Sequence, residues 1–202
     1  RTITAPGGVT IKASDDGDVA ALGNSASVQK STTGIGIGAA VAVLLNNTTA
    51  SIANDTTIVT AGAVDVSATT TENTEPGFTG MFAAEAMSGA TGQELSVAGS
   101  LAVAFTNSTT DASLGHFVPV DDGTNIAAGA VSVIADNTSE LAAKAWGGSL
   151  STSGNGIGAS IATIVSDDTY EATVGTSASI NAASLEVSAT NEKVNNPFSY
   201  LT

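Results

Sequence analysis

The sequence predicts an all-β solenoid, a chain in which about three units of roughly 60 residues stack on one another. Three observations carry this prediction. A Gly/Ala/Val-rich segment occurs three times, and its glycines Gly38, Gly99 and Gly158 recur at spacings of 61 and 59 residues. The repeated segments alternate with a period of two residues, which is typical of strands. Aromatic residues make up only 4% of the chain, which suits a core one side chain deep better than a globular core.

Each repeat contains three strand-like elements. The first, rich in Gly, Ala and Val, lies at 34–46, 99–107 and 156–167. The second lies at 48–52, 109–114 and 169–174, and the third lies at 62–68, 129–135 and 183–189. In the third element apolar and polar residues alternate, which predicts a strand with one buried face. In the first element both faces are apolar, which predicts a strand covered on both sides.

The alternation also predicts which side chains fill the interior. We expect these residues to point inward: Val41, Val43, Ile52, Val64, Val66, Leu101, Val103, Val131, Val133, Ile161, Ile164, Leu185 and Val187. Because a buried unpaired charge is costly, a charged residue in place of Val103 is predicted to be strongly destabilising.

The array is expected to form one domain over residues 1–190. Its copies cover approximately 14–68, 69–135 and 136–189, with the tail of an earlier copy at 1–13, and 191–202 forms an irregular end or the start of another element. Since the chain begins and ends inside a repeat, it is predicted to be part of something longer. The best helix candidates, 78–87 and 140–146, are rich in Ala, short and ambiguous.

Charge and composition exclude several classes of function. The net charge is −14 with five Lys and Arg residues, so no basic patch can form for nucleic acid or anionic lipid. No apolar run reaches the length of about 18 residues that a membrane span needs, so no membrane insertion is expected. The chain has no Cys, which is compatible with bacterial export.

The repeat resembles large, repeat-rich bacterial filamentous adhesins of the filamentous-haemagglutinin and leukotoxin-like kind. The pattern is Gly-x-Gly-Ile-Gly-Ala-x-Val-Ala-Val, then Asn, then Thr-x-Ala-x-Ile-Gly, then Ala-Gly-x-Val-x-Val-x-Ala, and residues 34–68, 99–135 and 156–189 carry it. The resemblance implies a right-handed parallel β-helix that is exported to the bacterial cell surface or the extracellular space. The chain departs from the pattern at Asp111, at Val174 and in the longer stretch 70–96.

The expected function is that of a non-enzymatic structural and adhesive segment of a giant exported bacterial surface protein. Its partners would be neighbouring repeats of the same parent chain and a glycan or protein on a host cell or in the extracellular space. An open terminal sheet edge would also favour end-to-end self-association. The alternatives are a polysaccharide lyase or hydrolase on a β-helix, and a purely structural stalk or extracellular filament or matrix protein.

Two motifs of other enzyme classes are weak in this chain. Gly34-x-Gly36-x-x-Ala39, followed by Asp55, fits a loose dinucleotide-binding fingerprint. The pattern recurs at Gly154, however, so a glycine of the repeat explains it better. His116 is the single histidine, and its Gly- and Pro-flanked position predicts a loop without catalysis. We therefore expect no catalytic and no cofactor-binding residues.

Other polar and aromatic residues are candidates for binding or for structural roles. The carboxylates that could bind Ca²⁺ in loops are Asp15, Asp16, Asp18, Asp121, Asp122, Asp167 and Asp168; in Asp-Asp-Gly clusters, plain turns are the alternative. Asn46 and Asn107 occupy the same repeat position and are predicted to stack as a ladder. The irregular stretch 72–93 is the predicted contact loop, with Phe78, Phe82 and Met87, and a longer loop between strands is its alternative.

Overall fold

The computed structural model describes residues 1–28, 32–71, 82–115, 123–139 and 141–193. Across these residues every regular element is a β-strand. The first pass of the chain contributes β1 (Thr2–Ala5), β2 (Val9–Asp16), β3 (Ala20–Val28) and β4 (Thr33–Ile52). The second pass contributes β5 (Thr57–Thr60), β6 (Ala63–Thr71), β7 (Phe82–Gly92) and β8 (Leu95–Leu114).

The later passes repeat this order. The third pass contributes β9 (Asn125–Ala128), β10 (Ala130–Ser139), β11 (Leu141–Ser151), β12 (Asn155–Ser166) and β13 (Thr169–Val174). The fourth contributes β14 (Ser179–Ala182) and β15 (Leu185–Lys193). The last strand therefore runs three residues past the predicted end of the array at residue 190.

Strands from successive passes form four parallel sheets. Sheet A has the order β1-β5-β9-β14, sheet B β15-β10-β6-β2 and sheet C β11-β7-β3. In sheet D, β8 pairs with β4 on one side and with β12 and β13 on the other. Since the strands of each sheet come from successive passes, the backbone donors and acceptors of one pass pair with those of the next. The prediction of an all-β fold is confirmed, and the sheets are parallel.

The larger of two hydrophobic cores lies between sheets A and B and the second half of sheet D. It is filled by Ile, Leu and Val side chains, of which Ile58, Val64, Val66 and Leu114 are fully buried. The inward orientation predicted for residues in this core is confirmed at Ile52, Val64, Val66, Val131 and Val133.

The second core is a thin layer between sheet C and the first half of sheet D. Its buried members are alanines: Ala40, Ala42, Ala84, Ala86, Ala102 and Ala104. Gly34, Gly36 and Gly38 of β4 face the same layer, and a methyl group on any of them would overlap a backbone carbonyl of β7. At these three positions the two backbones therefore approach so closely that only Gly fits between them.

The predicted inward orientation is wrong for the Val, Ile and Leu residues of this region. Val41, Val43, Leu101 and Ile161 are exposed, and Val103 lies on the same outer face, as the register shows. The outer face of sheet D is thus open to solvent in the described structure, rather than covered on both sides as predicted. Because side chains of a strand alternate between its two faces, shifting the strand by one residue moves every side chain to the opposite face.

The register shows that shift directly. Gly99 pairs with Ile37 and with Ala159, whereas Gly158 pairs with Ala98, so the glycines matched in the sequence do not stack.

A different cause applies to three other residues predicted to be buried. Ile164, Leu185 and Val187 pair with the buried Ala104, Val131 and Val133, and they are exposed because they belong to the last strands described in their sheets.

Both helix candidates are strands where the structure describes them. Residues 82–87 open β7, and 141–146 open β11, which pairs with β7 in parallel. Their alanines alternate between the Ala-filled layer and the outside, so the packing requirement overrides the helical preference of Ala.

Candidate functional site

A polar seam separates the two cores where sheet B passes into sheet C. The Thr70 hydroxyl lies 3.2 Å from that of Thr48 and 2.8 Å from that of Thr110, and all three threonines are buried. Thr70 comes from the end of β6, and the other two come from the middle of sheet D. Hydroxyls that satisfy one another can be buried without the penalty of an unpaired polar group.

A small cleft opens on this seam. It is lined by Gly17, Asp18, Leu44, Thr70, Thr71, Thr106, Ser108, Asn137, Thr138, Leu141, Asp168 and Tyr170. Its volume for water-sized molecules is about 30 Å³, which is room for about one or two waters.

Asp168 is held in the cleft by three hydrogen bonds. One carboxylate oxygen accepts a hydrogen bond from the Ser108 backbone N–H at 3.0 Å, and the other accepts bonds from the hydroxyls of Thr106, at 3.3 Å, and Ser166. The side chain lies at the break between β12 and β13 and ties it to β8. Asp168 therefore has a structural role at the point where the third strand of sheet D bends.

Replacing Asp168 with Ala is expected to lower the free energy of unfolding by about 1–3 kcal/mol, because a buried N–H and two hydroxyls lose their acceptor. Urea denaturation followed by circular dichroism measures this change. The neighbouring Asp167 is exposed, and Asp167→Ala serves as the matched control, with an expected effect within about 0.5 kcal/mol. Equal effects of the two substitutions would contradict the anchoring role.

The other candidate Ca²⁺ ligands lie apart. Asp15 and Asp16 end β2, and Asp18 and Asp168 both line the cleft, whereas Asp167 is exposed. Asp121 and Asp122 lie outside the described residues. In the described part of the chain no group of three or more His, Cys, Asp or Glu residues comes close enough to hold a metal ion. Ca²⁺ binding stays a prediction from the sequence.

Thermal unfolding tests that prediction. Ca²⁺ takes six to eight oxygen ligands, and both oxygens of Asp168 already accept hydrogen bonds. We therefore expect the same Tm in millimolar Ca²⁺ and in chelator. A Tm raised by Ca²⁺ but not by Mg²⁺ would contradict this expectation and would support the site predicted from the sequence.

The predicted ladder of Asn46 and Asn107 does not form. Asn46 pairs with Ser108, whereas Asn107 pairs with Leu45 and is exposed. The same one-residue shift that affects the glycines separates them. An Asn pair does form in sheet B, where the Asn137 amide donates to the Asn191 side-chain oxygen at 3.1 Å. The recurrence of Asn at 137 and 191, two residues after matching alanines, is the signal that would have found it.

The residues of the loose dinucleotide-binding fingerprint do not have the backbone conformation that the motif requires. Gly34 and Gly36 lie within the extended strand β4, whereas the motif needs a turn that leads into a helix. Asp55 lies in the turn after β4 with a φ of 57°, a left-handed conformation that Asp tolerates. His116 lies outside the described residues.

Where the structure describes the predicted contact loop, residues 82–92 form a strand. Phe78 lies outside the described residues, Phe82 is the first residue of β7, and Met87 lies further along this strand on the outer face of sheet C, where it is partly exposed. The same outer face carries an ion pair between Lys144 and Glu85, with the nitrogen and oxygen 3.6 Å apart.

The surface that sequence reasoning missed is the outer side of the first half of sheet D. We call it face D and define it as the outward residues of 35–45, 97–105 and 157–165. Ile37 is 73% exposed, Val41 59% and Ile161 62%. The sequence shows the apolar residues, but the prediction placed Val41 and Ile161 in the interior and did not assign Ile37 to a face.

No helix in the described ranges is long and apolar enough to cross a membrane. Comparisons of the chain with protein-family models, with curated proteins and with solved structures find no match.

Proposed function

We propose that the chain is a segment of a right-handed parallel β-helix that acts as a non-enzymatic structural and adhesive rod in a giant exported bacterial surface protein. The observation that carries the proposal is the stacking of three successive passes, in register, across four parallel sheets. In such arrays each repeat contacts only its neighbours. Each added repeat therefore contributes its own stabilising contacts, and the rod can be long. Right-handed connections are strongly favoured between parallel strands.

The ends of the sheets support continuity with neighbouring repeats. In sheet B the outermost strands are β2 and β15, and an edge strand can accept a further parallel strand. These edges would pair with preceding and following repeats of the parent chain. The same edges would support end-to-end association when no such repeat is present.

The cleft favours this proposal over a polysaccharide lyase or hydrolase. Glycoside hydrolysis needs two carboxyl groups about 5–10 Å apart with a sugar between them. Both oxygens of Asp168, one of the two acids of the cleft, are already engaged in hydrogen bonds with the protein. A purely structural stalk stays the alternative without an adhesive role.

Binding of the folded chain to a glycan array and to intact cells tests the adhesive role. We expect specific binding that is weakened by Met87→Asp and by replacing residues 72–81 with a short Gly/Ser linker. Thr10→Asp, at an exposed position on sheet B, is the matched control and should bind normally. A folded chain that binds neither glycans nor cells would make it a stalk, and cleavage of any glycan on the array would support the enzyme.

A further inference from the structure

Face D is a continuous apolar surface. Residues 35–45, 97–105 and 157–165 contain none of the 24 charged residues of the chain. They lie side by side in register on β4, β8 and β12. Exposed apolar patches of several hundred Å² on soluble proteins mark interaction surfaces. On a chain with a net charge of −14, a broad face free of charge is therefore a candidate interaction surface.

The outer face of sheet C provides the contrast. Its strands also expose large apolar residues, with Leu22 70% and Leu150 66% exposed. The ion pair of Lys144 with Glu85 lies on the same face, in the row of Leu22 and on the two strands next to it. Covering this pair would remove two charged groups from water, whereas covering face D removes none.

Two neighbouring rows of face D combine large and small side chains. One row across the sheet contains Ile37, Gly99 and Ala159, and the next outward row contains Ala39, Leu101 and Ile161. Within these two rows, a large side chain in one row thus lies beside a small one in the other. A Cβ added to Gly99 would meet nothing within 4 Å, so Gly99 is an open hollow that the Ile or Leu of an opposing sheet can enter.

The size of face D matches a weak but specific dimer. Three strands about 4.8 Å apart and about 10 residues of about 3.3 Å each give roughly 500 Å² of flat area per copy. Two copies would bury about 1,000 Å², the lower limit of specific interfaces. Every further repeat of the same kind adds another strand to the face, so the contact would grow with the length of the rod.

We propose that face D pairs with face D of a second copy of this chain, so that two rods associate side by side. The two sheets would stack about 10 Å apart with their strands nearly aligned, which is the ordinary packing of β-sandwiches. A two-fold axis through the face brings the same residues of both copies together. This lateral pairing goes beyond the adhesive role and does not depend on it.

Sedimentation velocity over a range of protein concentrations tests the pairing. The wild-type chain is expected to form dimers at micromolar concentrations, more readily at high salt because salt screens the repulsion between two acidic copies. The variant Ile37→Glu with Ile161→Glu should dimerise at least about tenfold more weakly, since it places charges in the interface. Leu22→Glu with Leu150→Glu is the matched control on sheet C, with nearly equal exposure, and should dimerise normally.

A third variant separates shape from charge. Gly99→Trp fills the hollow without adding a charge, and it should also weaken dimerisation while circular dichroism shows a folded chain. A monomer at all concentrations, or equal loss with both pairs of Glu substitutions, would overturn the proposal. Polymers larger than a dimer that still form in the variant Ile37→Glu with Ile161→Glu would also overturn the proposal, because such polymers would be held together end to end. Flotation of a monomeric chain with phosphatidylcholine vesicles would overturn it in favour of a lipid surface.

Discussion

Replacing Ala104 with Asp is expected to destabilise the chain severely. Ala104 is 0% exposed and lies in the thin layer between sheets C and D, where its neighbours are other alanines. A carboxylate there is larger than the space that a methyl group fills, and no cation in this layer pairs with it among the described residues. A buried, unpaired charge costs about 3–5 kcal/mol, a large part of the roughly 5–15 kcal/mol that stabilises an ordinary domain.

Val103→Asp is the control for this prediction. Val103 is the preceding residue on the same strand and lies on the outer face. A surface charge there should change the free energy of unfolding by no more than about 0.5–1 kcal/mol. Urea denaturation of both variants checks the expectation, which replaces the prediction that a charge at Val103 is itself strongly destabilising. A Val103→Asp variant less stable than Ala104→Asp would reverse the assignment of the two faces.

Replacing Gly36 with Val is expected to destabilise the chain almost as severely. A Cβ at Gly36 would overlap the carbonyl oxygen of Gly89 in β7, and a backbone atom of a sheet cannot move aside as a flexible side chain can. The first half of sheet D would have to separate from sheet C, which would open the alanine layer to water. We expect a loss of at least about 3 kcal/mol, at the upper end of overpacking effects, measured as a lower denaturation midpoint.

Gly99→Val makes the same chemical change on the opposite face. The space beyond Gly99 is open, and Val has a higher strand preference than Gly, so stability should stay the same or rise by up to about 1 kcal/mol. If Gly36→Val and Gly99→Val destabilised the chain equally, the close approach of sheets C and D would be wrong.

The sequence by itself determined the kind of element and the repeat. Period-two alternation and turn residues at regular intervals predicted strands, and the recurrence of the segments near residues 38, 99 and 158 predicted stacked units. Where only one face of a strand is apolar, as at Val64 and Val66, the predicted buried face was also correct. A single apolar face leaves only one orientation that keeps the polar side chains in water.

The role of the candidate site residues depended more on the tertiary structure than the kind of element did. The sequence suggested Asp168 as a Ca²⁺ ligand because it belongs to an Asp-Asp cluster, and it could not show the donors from Thr106 and Ser108 that hold its carboxylate. Those donors come from the preceding pass of the chain. Such contacts depend on register across about 60 residues, which local patterns do not define.

The orientation of the Gly/Ala/Val-rich strands was decided by the tertiary structure alone. Both faces of β4 are apolar, so hydrophobicity cannot distinguish the inside from the outside. Volume decides instead: the backbones of sheets C and D lie so close that glycines such as Gly36 must point inward. The bulky Ile37 and Val41 therefore face outward, where they form the apolar surface proposed to join two copies.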